Sequence, residues 1–279
     1  MDVTVLATTD PRQVLDQAEE FLVSEPVLSN VILTLLQDRC AQPEPGRYWI
    51  GEADGKAAGV VFQSPLDFSA TITPMPVPLV GAVVDAIAAA GIRLPGVSGE
   101  AAVAARFAGQ WSERCKSAAA PVLGTRIYQA GELIPPRGVP GALSQGTAAD
   151  QELLVPWLDA FSADIGHGEP SRDTEAHAAR RLAAGQVWFW RQDAGAVPVS
   201  MAIGSGDVAG VARIQTVYTP PELRGRGYAA ACVAALTGRV LGRGLRCILY
   251  TNLANPVSNS VYRRIGYQAV AEGLGYKFS

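Results

Sequence analysis

Nowhere in this chain do eighteen apolar residues follow one another, so no segment is expected to cross a bilayer as a helix. Its first residues, MDVTVLATTDPRQ, have neither a basic opening nor an apolar core, so export is not expected and the cytoplasm is the expected compartment. Cysteine is scarce. Cys40, Cys115, Cys232 and Cys247 stand apart, with no C-x-x-C pair and no metal-ligand spacing. They read as small buried apolar residues of a reducing compartment, and no metal site is expected. Lysine is nearly missing, since 20 of the 23 basic residues are arginine.

What is present is ample core material. The chain has 279 residues, 48% of them hydrophobic and 18% charged, which suits two soluble domains of about 140 residues. The most informative stretch runs from Val211 to Tyr267. Ile214 to Thr219 is rich in β-branched residues and reads as a strand. Pro220-Pro221 end its pairing, because neither has an N–H to donate. Arg224-Gly225-Arg226-Gly227-Tyr228-Ala229 then leads directly into an Ala/Val/Leu segment of helical character. Strand, glycine turn and helix start together form a place for an anion, where orphan amides and the positive end of the helix dipole converge. Six arginines face one acid, Glu222, between Val211 and Arg246, in a chain of net charge −3. That local excess suggests a phosphate-bearing ligand; nucleic acid, which needs a broader basic face, is not expected. No Lys-Ser/Thr follows the glycines, so the loop is not a Walker loop, nor is it a dinucleotide fingerprint.

Read in order, the first half opens with a strand at Val3 to Leu6 and a helix with Asp10 at the N-cap and Pro11 at N1. A second helix starts near Val27. Arg47 to Glu52 and Lys56 to Gln63 form a hairpin about Asp54-Gly55. A strand at Phe68 to Thr73, a helix at Leu79 to Ala90, a turn at Gly96 to Gly99, a helix at Glu100 to Arg114 and a strand at Gly124 to Leu133 follow. The second half repeats this order. Gly141 to Gly146 is its first strand, Ala148 to Ala160 and Asp173 to Ala184 its paired helices, and Val187 to Gln192 with Pro198 to Gly204 its hairpin. The linker is Ile134 to Pro140, IPPRGVP.

Arg224-x-x-Gly227-x-Ala229, with Asn255, Tyr262, Gly266 and Tyr267 in register downstream, resembles the GCN5-related N-acetyltransferase (GNAT) superfamily. The resemblance implies an α/β (α+β) fold of two tandem GNAT-type domains, each a mixed, mostly antiparallel twisted sheet flanked by helices. Residues 1–135 would be a degenerate copy, since PMPVPLVG replaces the signature after the Phe68 to Thr73 strand and prolines lack the amides an anion cradle needs. Residues 141–279 would be the catalytic domain. The ligand implied is acetyl-CoA, with coenzyme A as product. Residues implied to hold it are Val217, Tyr218 and Thr219 on the strand, Arg224, Gly225, Arg226, Gly227, Tyr228 and Ala229 in the signature, and Asn252, Asn255, Ser258, Asn259 and Tyr262 downstream. A main-chain amide near Val217 or Tyr218 would face the developing oxyanion, and Tyr262 would protonate the departing thiolate. The partner implied is a small-molecule or amino-acid-like amine, and the chain is expected as a monomer or homodimer. The alternative is a non-catalytic acyl-CoA-binding sensor or partner-binding module.

No carboxylate stands in Arg213 to Thr219, RIQTVYT, so a general base must come from elsewhere. Candidates lie in the loop Ser162 to Thr174: Asp164, His167 and Glu169. Deprotonation through solvent, without a dedicated base, stays open. His177 is expected to be exposed on its helix. Helical spacing puts Val257, Val261 and Ile265 toward the core and Asn255, Asn259 and Tyr262 on a separate polar face. Trp188 and Trp190 alternate with Val187 and Phe189, so one pair is core and the other could line an acceptor cleft.

Overall fold

The computed structural model describes residues 1–165 and 173–279. By contact these fall into two compact units. The first comprises Met1–Ile127, Asn252–Ala254 and Val270–Ser279, and the second Tyr128–Thr251 and Asn255–Ala269.

The first unit begins with β1 (Val3–Thr8), α1 (Pro11–Ser24), α2 (Asn30–Ala41), β2 (Arg47–Ala53), β3 (Lys56–Gln63) and β4 (Ala70–Ile72). It continues with α3 (Val77–Ala89), β5 (Gly96–Glu100), α4 (Ala101–Cys115) and most of β6 (Ala119–Ala130). Strands β1 to β4 pair antiparallel in chain order, and β5 lies parallel to β4. Local chemistry fixes several boundaries. Asp10 caps α1 by accepting from the Arg12 N–H at 2.9 Å, with Pro11 at N1. Asp54 and Gly55 both take positive φ, 52° and 75°, as the two-residue hairpin turn requires. Trp49 packs with Val61, Leu79, Phe107 and Trp111 on the α3/α4 side. Its neighbours Tyr48 and Ile50, also fully buried, point to the opposite face by the alternation of the strand.

The second unit holds β7 (Ala142–Gln145), α5 (Gln151–Ile165), α6 (Thr174–Ala183), β8 (Val187–Arg191), β9 (Pro198–Gly204) and β10 (Val211–Tyr218). Then come α7 (Tyr228–Leu241), β11 (Arg246–Asn252), α8 (Pro256–Arg264) and the start of β12 (Tyr267–Phe278). Strands β7 to β10 are antiparallel and β11 is parallel to β10. Two cores flank this sheet. Trp190, Ile214, Leu236, Leu249 and Ile265 belong to one, and Leu154, Leu158, Val187, Phe189 and Met201 to the other. Each such side chain contributes about 1.5–3 kcal/mol by leaving water.

In its elements and units the structure departs from the sequence reading in four places. Gly96 to Gly99 is strand β5 rather than a turn. A Cβ on Gly99 would stand 2.5 Å from Ile72 Cγ1, so glycine is required by close approach within the sheet. Helix α2 starts at Asn30, three residues after the expected Val27. Val187 and Phe189 are one core pair, as expected, but Trp188 and Trp190 pack on the core of the other face instead of lining a cleft. Trp190 is buried and donates from Nε1 to the Pro140 carbonyl at 2.9 Å, while the Arg239 guanidinium lies 4.5 Å from the Trp188 ring centroid. Finally, the units are not the contiguous stretches 1–135 and 141–279. The last strand pairs with β5 inside the first unit, from Gly273–Glu100 to Lys277–Gly96, because β5 otherwise presents an open edge of unpaired amides and carbonyls. Among the described residues no helix is long and apolar enough to cross a membrane.

Candidate functional site

The site is built where β10 leaves its neighbours. The parallel ladder between β10 and β11 runs from Val211–Arg246 only to Ile214–Leu249, although both strands continue. On the other side, Gln215 pairs with Ile203 and Tyr218 with Met201, so β10 carries one extra residue across that interval. The bulge is turned at Thr216, whose φ of 49° is a left-handed value unfavourable to a β-branched residue. Such strain persists only where surrounding structure enforces it, and it gathers at functional sites. No residue pattern announces it. The result is a splayed stretch at Thr216 and Val217, beside β11 but not laddered to it. Tyr218 turns into the core against Trp157, with ring centroids 5.7 Å apart.

Beyond Tyr218 the chain turns through Pro220 and a short 3₁₀ segment, Pro221–Leu223, into the glycine loop. Gly225 and Gly227 have φ of 79° and 82°, which an L side chain adopts only with strain. Gly227 is the N-cap of α7 and no side chain caps that end. The first amides of α7 are therefore orphan donors at the positive end of the helix. A Cβ on Gly225 would meet nothing within 4 Å, so the loop backbone faces open space; at Gly227 it would meet Val139 Cγ2 at 3.0 Å. The Tyr228 ring is buried, its hydroxyl accepting from Gln192 Nε2 at 2.9 Å, so only its backbone is presented to the loop. Thr219 is also buried, its hydroxyl 2.9 Å from that of Ser200.

Of the six arginines, only Arg224 and Arg226 stand at this loop. Arg239 lies in the last turn of α7, with Arg243 and Arg246 beyond it, about 20 Å along the helix. With Arg213 on β10, the basic island of the sequence is thus dispersed and not gathered at the loop. Arg224 donates from Nε to the Thr219 carbonyl at 2.9 Å and from Nη2 to Asp164 Oδ2 at 2.5 Å. Arg226 reaches back to the Glu222 carbonyl at 3.2 Å, and the Glu222 side chain is exposed.

Helix α8 only partly buries the face its apolar residues suggest: Ile265 is in the core and Val261 packs against it, as expected, but Val257 does not. Val257 is 71% exposed, whereas Asn259 and Tyr262 are buried together with Ile265. Tertiary contacts outweigh the apolar pattern here, because Asn259 finds hydrogen-bond partners inside. Its Nδ2 donates to the Asn255 carbonyl at 2.7 Å and its Oδ1 accepts from the Tyr128 hydroxyl at 3.1 Å. Tyr262 lies between Tyr128 and Tyr267, with ring centroids at 6.3 and 6.1 Å. Burial pushes its phenol up to about 12. Asn255 caps α8 by accepting from the Ser258 N–H at 3.0 Å, with Pro256 at N1. Asn252 falls in the first unit, where its Oδ1 accepts from the Ala254 N–H at 2.8 Å.

Among the residues considered as bases, Asp164 sits in the last turn of α5 and is engaged by Arg224, while His167 and Glu169 lie outside the described residues. His177 is half-buried rather than exposed, and burial together with Arg181 and Arg180 lowers its pKa.

Residues 208–274, from just before β10 into β12, match the family model described as FR47-like protein. Among solved structures, the chain is similar to an acetyltransferase from the GNAT family of Colwellia psychrerythraea, with a TM-score of 0.65, 10% identity and 100% of both chains covered. The chain has the GNAT fold. A GCN5-related N-acetyltransferase from Sphaerobacter thermophilus has a TM-score of 0.63 at 16% identity, over 98% of this chain and 94% of that one. A tandem GNAT protein from the clavulanic acid biosynthesis pathway has a TM-score of 0.57 at 10% identity, over 100% and 98%. No curated protein matches the sequence. Within the GNAT fold the two units differ at the turn after the fourth strand. In the first, α3 has Pro76 as its N-cap and Pro78 at N2, which removes one of the amides that α7 offers in the second.

Proposed function

We propose that the chain is an acyl-CoA-dependent N-acyltransferase, in its simplest form transferring acetyl from acetyl-CoA to a small-molecule or amino-acid-like amine by direct attack. The observation that carries this reading is the uncapped start of α7, opened by Gly225 and Gly227, immediately after a β10 that has left its neighbours. The second unit would hold the ligand, and the first would be a copy without the cofactor loop. Amides from Gly225 to Ala229 would meet the diphosphate of acetyl-CoA, with Arg224 and Arg226 supplying charge. The splayed Thr216–Val217 backbone would run beside the pantetheine, and an N–H there would face the carbonyl oxygen as negative charge develops. Asn255 and Ser258, at the start of α8, would border the same arm.

Acetyl-CoA supplies the acyl group as a thioester; the chain supplies alignment. The amine nitrogen bonds to the carbonyl carbon, the C–S bond breaks, and the proton lost by nitrogen ends on sulfur. Tyr262, with a phenol at about 12, holds its proton more firmly than an ordinary thiol near 8.5. It would therefore act as a hydrogen-bond donor to the sulfur. Asp164 is engaged by Arg224, so the amine proton would leave through water or through His167 or Glu169.

A second reading, an acyl-CoA-binding module without catalysis, is favoured by the lack of a carboxylate on β10. Thiol release from acetyl-CoA over a panel of amines, for the native chain and Tyr262→Phe, separates the two. Amine-dependent release that falls in Tyr262→Phe supports the transferase. Binding of acetyl-CoA with no release on any amine supports the module, and no binding at all sinks both.

A further inference from the structure

We propose that Asp164 is an affinity-determining residue, an internal carboxylate that occupies Arg224 and that the diphosphate of coenzyme A must displace. This rests on the coenzyme A reading above. Three contacts define the arginine. Its Nε donates to the Thr219 carbonyl at 2.9 Å, its Cζ lies 5.8 Å from the Tyr218 ring centroid, and its Nη2 donates to Asp164 Oδ2 at 2.5 Å. The first two hold the guanidinium against the end of β10, at the entrance to the glycine loop. The third fills an anion position on it.

The carboxylate is placed to bind, but not irreversibly. It stands in the last turn of α5, where the negative end of the helix dipole adds to its pull on a cation. Yet Arg224 and Asp164 are 47% and 49% exposed, and ion pairs this open are screened and contribute little. A diphosphate brings more charge and can engage a guanidinium with two oxygens at once, so it prevails in the exchange. With Asp164 in place the loop's charges, Arg224 and Arg226 against Glu222 and Asp164, cancel. Removing the carboxylate leaves one net positive charge for the incoming anion.

The test is calorimetric titration of the full chain at low ionic strength with coenzyme A, and with pantetheine, which lacks the diphosphate. Asp164→Asn is expected to bind coenzyme A about three-fold tighter than the native chain, the size an exposed pair allows. Pantetheine binding is expected to stay unchanged, and the gain to vanish when Arg224→Gln is added. Asp164→Ser, which also removes the charge, is expected to repeat the result and guards against a fault peculiar to one replacement. Unchanged or weaker coenzyme A binding in both Asp164 variants overturns the inference alone, as does a gain that survives Arg224→Gln. Failure of every protein to bind coenzyme A overturns the coenzyme A reading along with it.

Discussion

The hydroxyl of Tyr128 donates to Oδ1 of Asn259 across 3.1 Å, joining residues 131 positions apart inside the second unit. The same amide group donates to the Asn255 carbonyl at 2.7 Å, so this contact ties the first turn of α8 to β6. Losing the hydroxyl in Tyr128→Phe is expected to cost about 1 kcal/mol. Asn259→Leu, which takes the partner from both the Tyr128 hydroxyl and the Asn255 carbonyl, should cost about 2–3 kcal/mol. Urea denaturation of the two variants checks the order. Equal, negligible losses would mean the contact does not anchor α8.

Tyr262 makes stability sensitive to alkali. Its folded phenol is pushed up to about 12 from an ordinary value of 10, so between those values the folded state binds more protons than the unfolded one. Stability is then whole below pH 10 and declines as pH rises toward 12, by on the order of 2–3 kcal/mol for this group. Tyr267, raised by burial as well, acts in the same direction. Thermal melts from pH 8 to 11 should show the decline, and Tyr262→Phe should flatten it.

The two loop glycines should fail for different reasons. Gly227→Ala combines a φ of 82° with a methyl 3.0 Å from Val139 Cγ2, and is expected to lower stability by about 1–3 kcal/mol. Gly225→Ala meets no neighbour within 4 Å, so its methyl would project into the space where an anion approaches. It should weaken coenzyme A binding more than its modest loss of stability explains. Paired denaturation and binding measurements separate the effects.

Cys232 and Cys247 are buried, and burial raises both thiols. Cys40 and Cys115 are only half-buried. A chromogenic disulfide reagent at pH 8 should therefore titrate two thiols in the native chain and four in urea. Rapid reaction of all four without denaturant would contradict this packing.

Because the last strand pairs with β5 from Gly273–Glu100 to Lys277–Gly96, deleting residues 271–279 should expose that edge. Faster proteolysis within residues 1–127 is the expected outcome, while a fragment ending at residue 135 should fold poorly by itself. A stable, cooperatively melting 1–135 fragment would refute it.

Much of the fold was legible because neighbouring residues dictate it. The Asp10-Pro11 and Asn255-Pro256 caps, the Asp54-Gly55 turn and the β9 run Pro198–Gly204 lie where the sequence puts them. Misreadings gathered where distant contacts decide. Gly96 to Gly99 looks like a turn until Ile72 is seen pressed against Gly99. Val257 looks like core until Asn259 is found paired with Tyr128, which turns the helix and leaves Val257 outside. Asp164 looks like a free loop acid until Arg224 takes it.

Sequence by itself therefore determined the glycine loop opening α7 and the capped helix after β11, since φ preferences and missing amides act within a few residues. Only the tertiary structure decided the bulge at Thr216, the buried face of α8, the partner of Arg224 and the unit that receives the last strand. Those depend on which backbone edges and polar groups remain unsatisfied once the sheets have formed, and that is settled between residues far apart in the chain.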